Sequence, residues 1–465
     1  MRLFTVAWVT VSLLALFFHP VRAASAEETA PADLTASKAV LERLKADGKI
    51  RKYKLDPGDK GLLKLDLSES GIVDLTPLKG MPLEWLHIDG NDHNPSKVVS
   101  AAGLERMPLK ELSLQGNVAL EDISALKGAP LKVFKISGTH GGQPKVTDIS
   151  ALKGMDLVEA GIAGPVKDLS PLAGMKLEKV FLNCESKDVN VLKGMPLKSV
   201  HLAGAVTDIS GIEGMAFKTL SLHGAYQLVD LSPLKGMPLE TLDLFGVKAS
   251  DLSPLKGMQL GKTWPGLWIP SGVTDLSPLA GMPVTLLDLG GTKITDLKPL
   301  KELPQLQELQ LSPAASDISP LQGLKLKSLN ASGCRGLADI SALAGMPLER
   351  LNLMNTKIAD IGPLKGLPLK ALFMNSTLAG QPVPVTDLSP LQGLPLKELN
   401  ISCQPDPREL DVSPLAECGA LESLGFTPNA KTKGLDALRK HPKLKTINSQ
   451  AAAAFWQKLD AEKGK

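Results

Sequence analysis

The sequence predicts an α/β solenoid, on three observations. The phrase Asp-Leu-Ser-Pro-Leu-Lys-Gly-Met-Pro-Leu, at Asp230 to Leu239, returns with small variations roughly every 21 residues from Asp74 almost to the C-terminus. Self-similarity at a period of about 20 to 30 residues marks a stacked array, in which each unit covers its neighbour's apolar face and none is stable alone. The chain is 43% hydrophobic but only 4% aromatic, so its interior is built from Leu, Ile, Val and Met in thin, regular layers. Its 465 residues would make about three domains of ordinary size, but stacking adds coils without needing a new core, so one array is the better reading.

The first residues read as an address. Arg2 precedes an apolar run from Leu3 to Phe18, and Ala23, Ala24 and Ala26 supply small residues for cleavage, the pattern of an export signal over 1–26. The run is shorter than the roughly 20 residues that cross a bilayer, and no second run of that length follows. The mature chain is therefore expected to be exported, to the periplasm, the cell surface or the medium, with no membrane span.

Residues 27–61 are expected to form an N-terminal cap. Asp33 to Lys45 places Val40, Leu41 and Leu44 on one helical face, with Gly48 just beyond. Leu63, Leu65 and Leu67 then alternate as a first strand. The array itself runs over 62–448. An Asp opens most units, from Asp74 through Asp230 to Asp411, and with units at Ser100 and near Gly434 the total is about 17 coils.

One coil, Asp339 to Ala359, serves for all. Leu348, Leu351 and Leu353 have the spacing L-x-x-L-x-L, and the alternation of the last two is the period of a short strand with one face buried. Before it, Ser341 suits the cap of a tight helical turn, as Ser-Pro does in sister coils, and Leu343 points inward. Gly345 tolerates a positive φ, and Pro347 leads into extended chain. At the far end, 449–465, Ala451 to Glu462 spaces Phe455, Trp456 and Leu459 as a capping helix.

These tandem copies resemble leucine-rich repeat proteins, in particular the internalin-like bacterial type, from about Leu62 to Asn448. The resemblance implies a right-handed curved array, with a parallel β-sheet on the concave side and short 3₁₀ turns on the convex side. The Gly-Met-Pro-Leu units run one residue shorter than that type, whereas Leu303 to Leu306 and Cys418 to Leu421 carry the longer form.

Chemistry is sparse. The formal charge of +3 is nearly balanced and no basic block stands out, so nucleic acid is not expected. No H-E-x-x-H, G-x-S-x-G or C-x-x-C occurs. Gly257 to Thr263 falls one residue short of a phosphate loop. The Asp column suits local caps better than calcium, because it lacks the accompanying loop ligands. We therefore expect no enzyme, no cofactor and no metal. Of the four cysteines, Cys334 and Cys418 fall at small core positions, and Cys403 and Cys418 sit on different sides of adjacent coils.

With the Leu pairs inward, the residues between and beside them face the concave surface. That central column runs from His87, Ser113 and Lys135 through Phe181, His201, Ser221 and Asp243, then from Asp288 through Gln310, Asn330 and Asn352 to Phe373 and Asn400; the next column adds Asn183, His223 and Phe245. Aromatics at such positions anchor partners. The candidate ligand-binding residues are Phe181, His201, His223, Asp243, Phe245 and Trp264. The other reading, in which Trp264 and Trp268 only pack an irregular coil, stays open. Three lengthened loops, Asp89 to Ser100, Gly138 to Thr147 and Ser376 to Thr386, project from one rim. The expected function is a non-enzymatic, extracytoplasmic scaffold, monomeric, that binds a protein partner through its concave face. An envelope glycan is the alternative ligand.

Overall fold

The computed structural model describes residues 34–261, 266–376, 384–403 and 406–463. The expected export signal, Trp264 and most of the loop Ser376 to Thr386 lie outside the described residues.

The coil Asp339 to Ala359 shows how the repeat folds. Ser341–Leu343 form one 3₁₀ turn and Arg350–Asn352 a short strand. Leu351 and Leu353 are each 1% exposed, as a strand with one buried face requires. The cap comes from the Asp column, as expected, and not from the Ser that was also read as a cap. Asp339 Oδ1 accepts the Ser341 N–H at 2.8 Å, and the Ser341 hydroxyl donates to Asp339 Oδ2 at 3.1 Å. Asp, with two acceptor oxygens, takes the free amide of the turn, and Ser orients the carboxylate instead of capping. The same pair recurs at Asp230–Ser232 and Asp387–Ser389. At Gly345, φ is +72°, while a Cβ there would meet only open space. The backbone angle alone demands glycine.

Turn stacks on turn and strand on strand. The strands form two sheets of ten each, parallel except for one antiparallel end strand apiece. The sheets belong to two compact units, separated in sequence between Val247 and Lys248. Between the last strand of the first sheet, Thr241–Asp243, and the first of the second, Leu267–Trp268, the sequence carries Pro265, and Pro270 follows just after; both lack a backbone donor. Gly261 and Gly266 there take φ of +86° and +91°, outside strand geometry.

In the first unit a helix, Leu34–Ala46, buries Leu41 and Leu44. Strand Lys54–Pro57, which the repeat pattern does not reveal, pairs antiparallel with Leu63–Asp66 and so covers the open edge of the parallel run. The second unit ends in the mirror of this device. Gln450–Ala451 turns back antiparallel on Thr446–Ile447, and helix Ala452–Lys463 follows. Its Trp456, 7% exposed, lies edge-on to Phe455, with the Arg439 guanidinium 5.2 Å from its ring centre.

The core is aliphatic, with Phe134, Phe217 and Phe426 its fully buried rings. All four cysteines are buried. The Cys334 thiol donates to Ser312 O, and the Cys418 thiol to Leu391 O. Burial pushes both thiols up to about 11. Where the longer repeat form was read, the 3₁₀ turns extend to five residues, Lys298–Glu302 and Ser413–Glu417. No helix among the described residues is long and apolar enough to cross a membrane.

Candidate functional site

Ladder register brings the central column together residue by residue. In the first unit Asp66, His87, Ser113, Lys135, Gly161, Phe181, His201, Ser221 and Asp243 are successive partners. Phe181 and His201, on neighbouring strands, stack with ring centres 4.5 Å apart and planes 13° from parallel. His223 and Phe245 repeat the arrangement at 4.7 Å and 17°. Both separations match the strand spacing of about 4.8 Å. The ring planes therefore stand across the ladder and turn their edges, which carry the positive end of the ring quadrupole, toward the open face of the sheet. All four rings are half-buried.

Asp243 plays a different part from the one its column position suggests. It is 2% exposed. Its Oδ1 accepts the Phe245 N–H at 2.9 Å, and its Oδ2 lies 3.2 Å from His223 Nδ1. A carboxylate so far from water needs such partners, and in return it orients the His223 ring beside Phe245. Burial, reinforced by the charge of His223 and opposed by that of Asp243, lowers His201 to a pKa of about 4. His201 thus meets a ligand as a neutral ring at pH 7. Of the six candidate residues, Phe181, His201, His223 and Phe245 lie on this surface of the first unit, Asp243 is buried beneath it, and Trp264 is outside the described residues.

A second cluster escaped the sequence reading. Trp85 stacks on His87 at 3.6 Å, and His87 Nε2 is 2.8 Å from Glu111 Oε1. Lys135 Nζ is 3.0 Å from Glu159 Oε1, and Lys179 Nζ is 4.0 Å from Glu159 Oε2. Burial pushes Glu111 up, but the His87 hydrogen bond and the charges of His87 and Lys135 outweigh it and hold Glu111 below its ordinary value. Burial wins at Asp89, which is raised although the Ser113 hydroxyl donates to it at 2.6 Å. The outward residue two before each column position, as Trp85 stands to His87, was the available clue. Two of the lengthened loops also join, since the His140 N–H donates to Asp92 Oδ1 at 2.8 Å and His140 Nδ1 lies 2.7 Å from Asp92 Oδ2.

The second unit carries a column of another character. Trp268, Asp288, Gln310, Asn330, Asn352, Phe373, Asn400 and Gly425 are successive partners. Asp288, Asn330, Asn352 and Asn400 each accept, through Oδ1, the N–H of the residue two further on, at 2.7, 3.0, 3.0 and 3.1 Å. Each such bond ends its strand with a turn built by the side chain. No group of His, Cys, Asp and Glu able to hold a metal occurs among the described residues.

No protein-family model matches the chain. No curated protein matches it either. Among solved structures, the chain is similar to an internalin (InlF) from Listeria monocytogenes, at 20% identity over 73% of this chain and 86% of that one, with a TM-score of 0.45. It is also similar to a leucine-rich repeat protein of Leptospira interrogans, at 16% identity over 81% of each chain, with a TM-score of 0.40. The functional domain of InlJ from Listeria monocytogenes is 16% identical over 78% of this chain and 72% of that one, with a TM-score of 0.41. The leucine-rich repeat fold rests on the coil geometry and ladder register described above.

Proposed function

We propose that the protein is a non-enzymatic scaffold, acting outside the cytoplasm, that binds a protein partner through the open strand face of its first unit. The observation that carries this reading is the pair of ring stacks, Phe181 on His201 and His223 on Phe245. They lie on four successive coils and are half-buried, and a buried, hydrogen-bonded Asp243 holds the second pair. Rigid rings with few torsions to freeze give large contact area at low entropic cost. Their outward edges suit carbonyl and carboxylate oxygens of a protein surface. The export reading rests on residues 1–26, and N-terminal sequencing of the mature protein tests it, with cleavage expected between Val21 and Ala26.

Affinity capture from the native envelope should yield a protein that, once purified, titrates against the wild-type chain. Phe181→Ala and Phe245→Ala should each weaken that titration about tenfold or more, because hot-spot aromatics carry about 2 kcal/mol apiece. Unchanged affinity in both variants, with unchanged melting, would remove this face from the reading.

A further inference from the structure

We propose that the second unit holds a separate site for a neutral glycan, with Phe373 as the platform for a pyranose ring and Asn352 and Asn400 as donors to its hydroxyls. The site is independent of the protein-partner reading and uses none of its residues.

The structural task of the column Asn residues does not call for an amide. Asp66, Asp243 and Asp288 occupy the same register and accept the same N–H two residues on, at 2.8, 2.9 and 2.7 Å. Asn at 352 and 400 adds an NH₂ group and removes a charge. Repulsion between neighbouring coils does not explain the choice, because Asp follows Asp along the turn column, as at Asp230, Asp251 and Asp275. Their Oδ1 atoms are held by Met354 N–H and Ser402 N–H, which fixes each amide plane. Their Nδ2 atoms have no hydrogen-bond partner among the described residues. Donors fixed in advance bind without the cost of ordering them.

Phe373 stands between these two donors in register. It is half-buried and, unlike Phe181 and Phe245, pairs with no other ring among the described residues. From Gln310 to Asn400 the column carries no formal charge. A pyranose offers an apolar face for the ring and a periphery of hydroxyls for the amides. An extended peptide along the array fits poorly. Its same-side groups repeat about every 6.6 Å, whereas coils repeat about every 4.8 Å, so Asn352 and Asn400 stand about 9.6 Å apart.

The test screens the purified chain against immobilised neutral hexose, neutral N-acetylhexosamine and uronate-containing oligosaccharides, then titrates the retained sugars by calorimetry. At least one neutral oligosaccharide should bind, with an affinity indifferent to added salt. Asn352→Asp and Asn400→Asp keep the backbone hydrogen bond and delete the donor, so each should weaken binding about tenfold with unchanged melting. Phe373→Leu should weaken it about tenfold or more, and Phe181→Ala should leave it unchanged. Retention of no neutral sugar, retention of uronate sugars alone, salt-sensitive binding, or indifference to both Asp variants would each overturn the proposal. Should Phe373→Leu lower melting, the two Asp variants decide the matter.

Discussion

At the scale of single residues, position in the ladder decides chemistry more than residue type does. His201 is neutral down to a pKa of about 4, against about 6.5 in the unfolded chain. Between those values the unfolded chain binds a proton that the folded chain refuses. The His201 contribution to stability is therefore full above about pH 6.5, falls as pH drops, and levels off near 4. The loss is at most about 3 kcal/mol, since the ring keeps some contact with water. His201→Gln should flatten the melting profile over that window; a wild-type slope in the variant would refute the assignment. The turn carboxylates act in the opposite protonation state. Asp122 is held below its ordinary value by the Ser124 N–H, then by the Ser124 and Ser100 hydroxyls. Its stabilisation is present above about pH 4 and is lost as pH falls through its lowered folded value. Asp122→Ala should cost about 1 kcal/mol in urea unfolding at pH 7, the usual worth of such a cap.

Individual elements show how much the sequence disclosed and where it stopped. The phase of Leu351 and Leu353 is enough to name every member of the central column, because side chains alternate strictly along a strand. The ladder reproduces that column from His87 to Asp243 and from Asp288 to Asn400. What lay hidden is sideways chemistry between residues some 20 to 25 positions apart. Asp243 sinks beneath His223, and Glu111 reaches His87. Neither follows from period, since period gives the face and not the rotamer. Strand Lys54–Pro57 was equally silent, being antiparallel and outside the repeat. Two substitutions test the elements. Gly345→Ala should cost about 1 to 2 kcal/mol in chemical unfolding, as a residue with a Cβ is forced to a left-handed backbone. Trp456→Ala empties the C-terminal cap, so hydrogen exchange should quicken first at Thr446–Ile447 and Ser423–Gly425 while Glu111–Leu114 stays protected.

For the molecule as a whole, the unit of design is the coil. Ser328–Asn330 pairs with Arg350–Asn352, which pairs with Ala371–Phe373, each in unbroken register. Excising Asp339 to Ala359 would join Ala338 to Asp360 and restore the Ala-Asp-Ile junction that opens the deleted coil. Leu329 would then face Leu372 with every side chain still on its own side. Such a shortened chain should fold cooperatively, and its crystal structure should show the same ladder with one step fewer. It follows that length is an adjustable quantity in this protein. A gene that gains or drops one such segment changes the number of rungs on the strand face of the second unit, with no hydrophobic seam to repair.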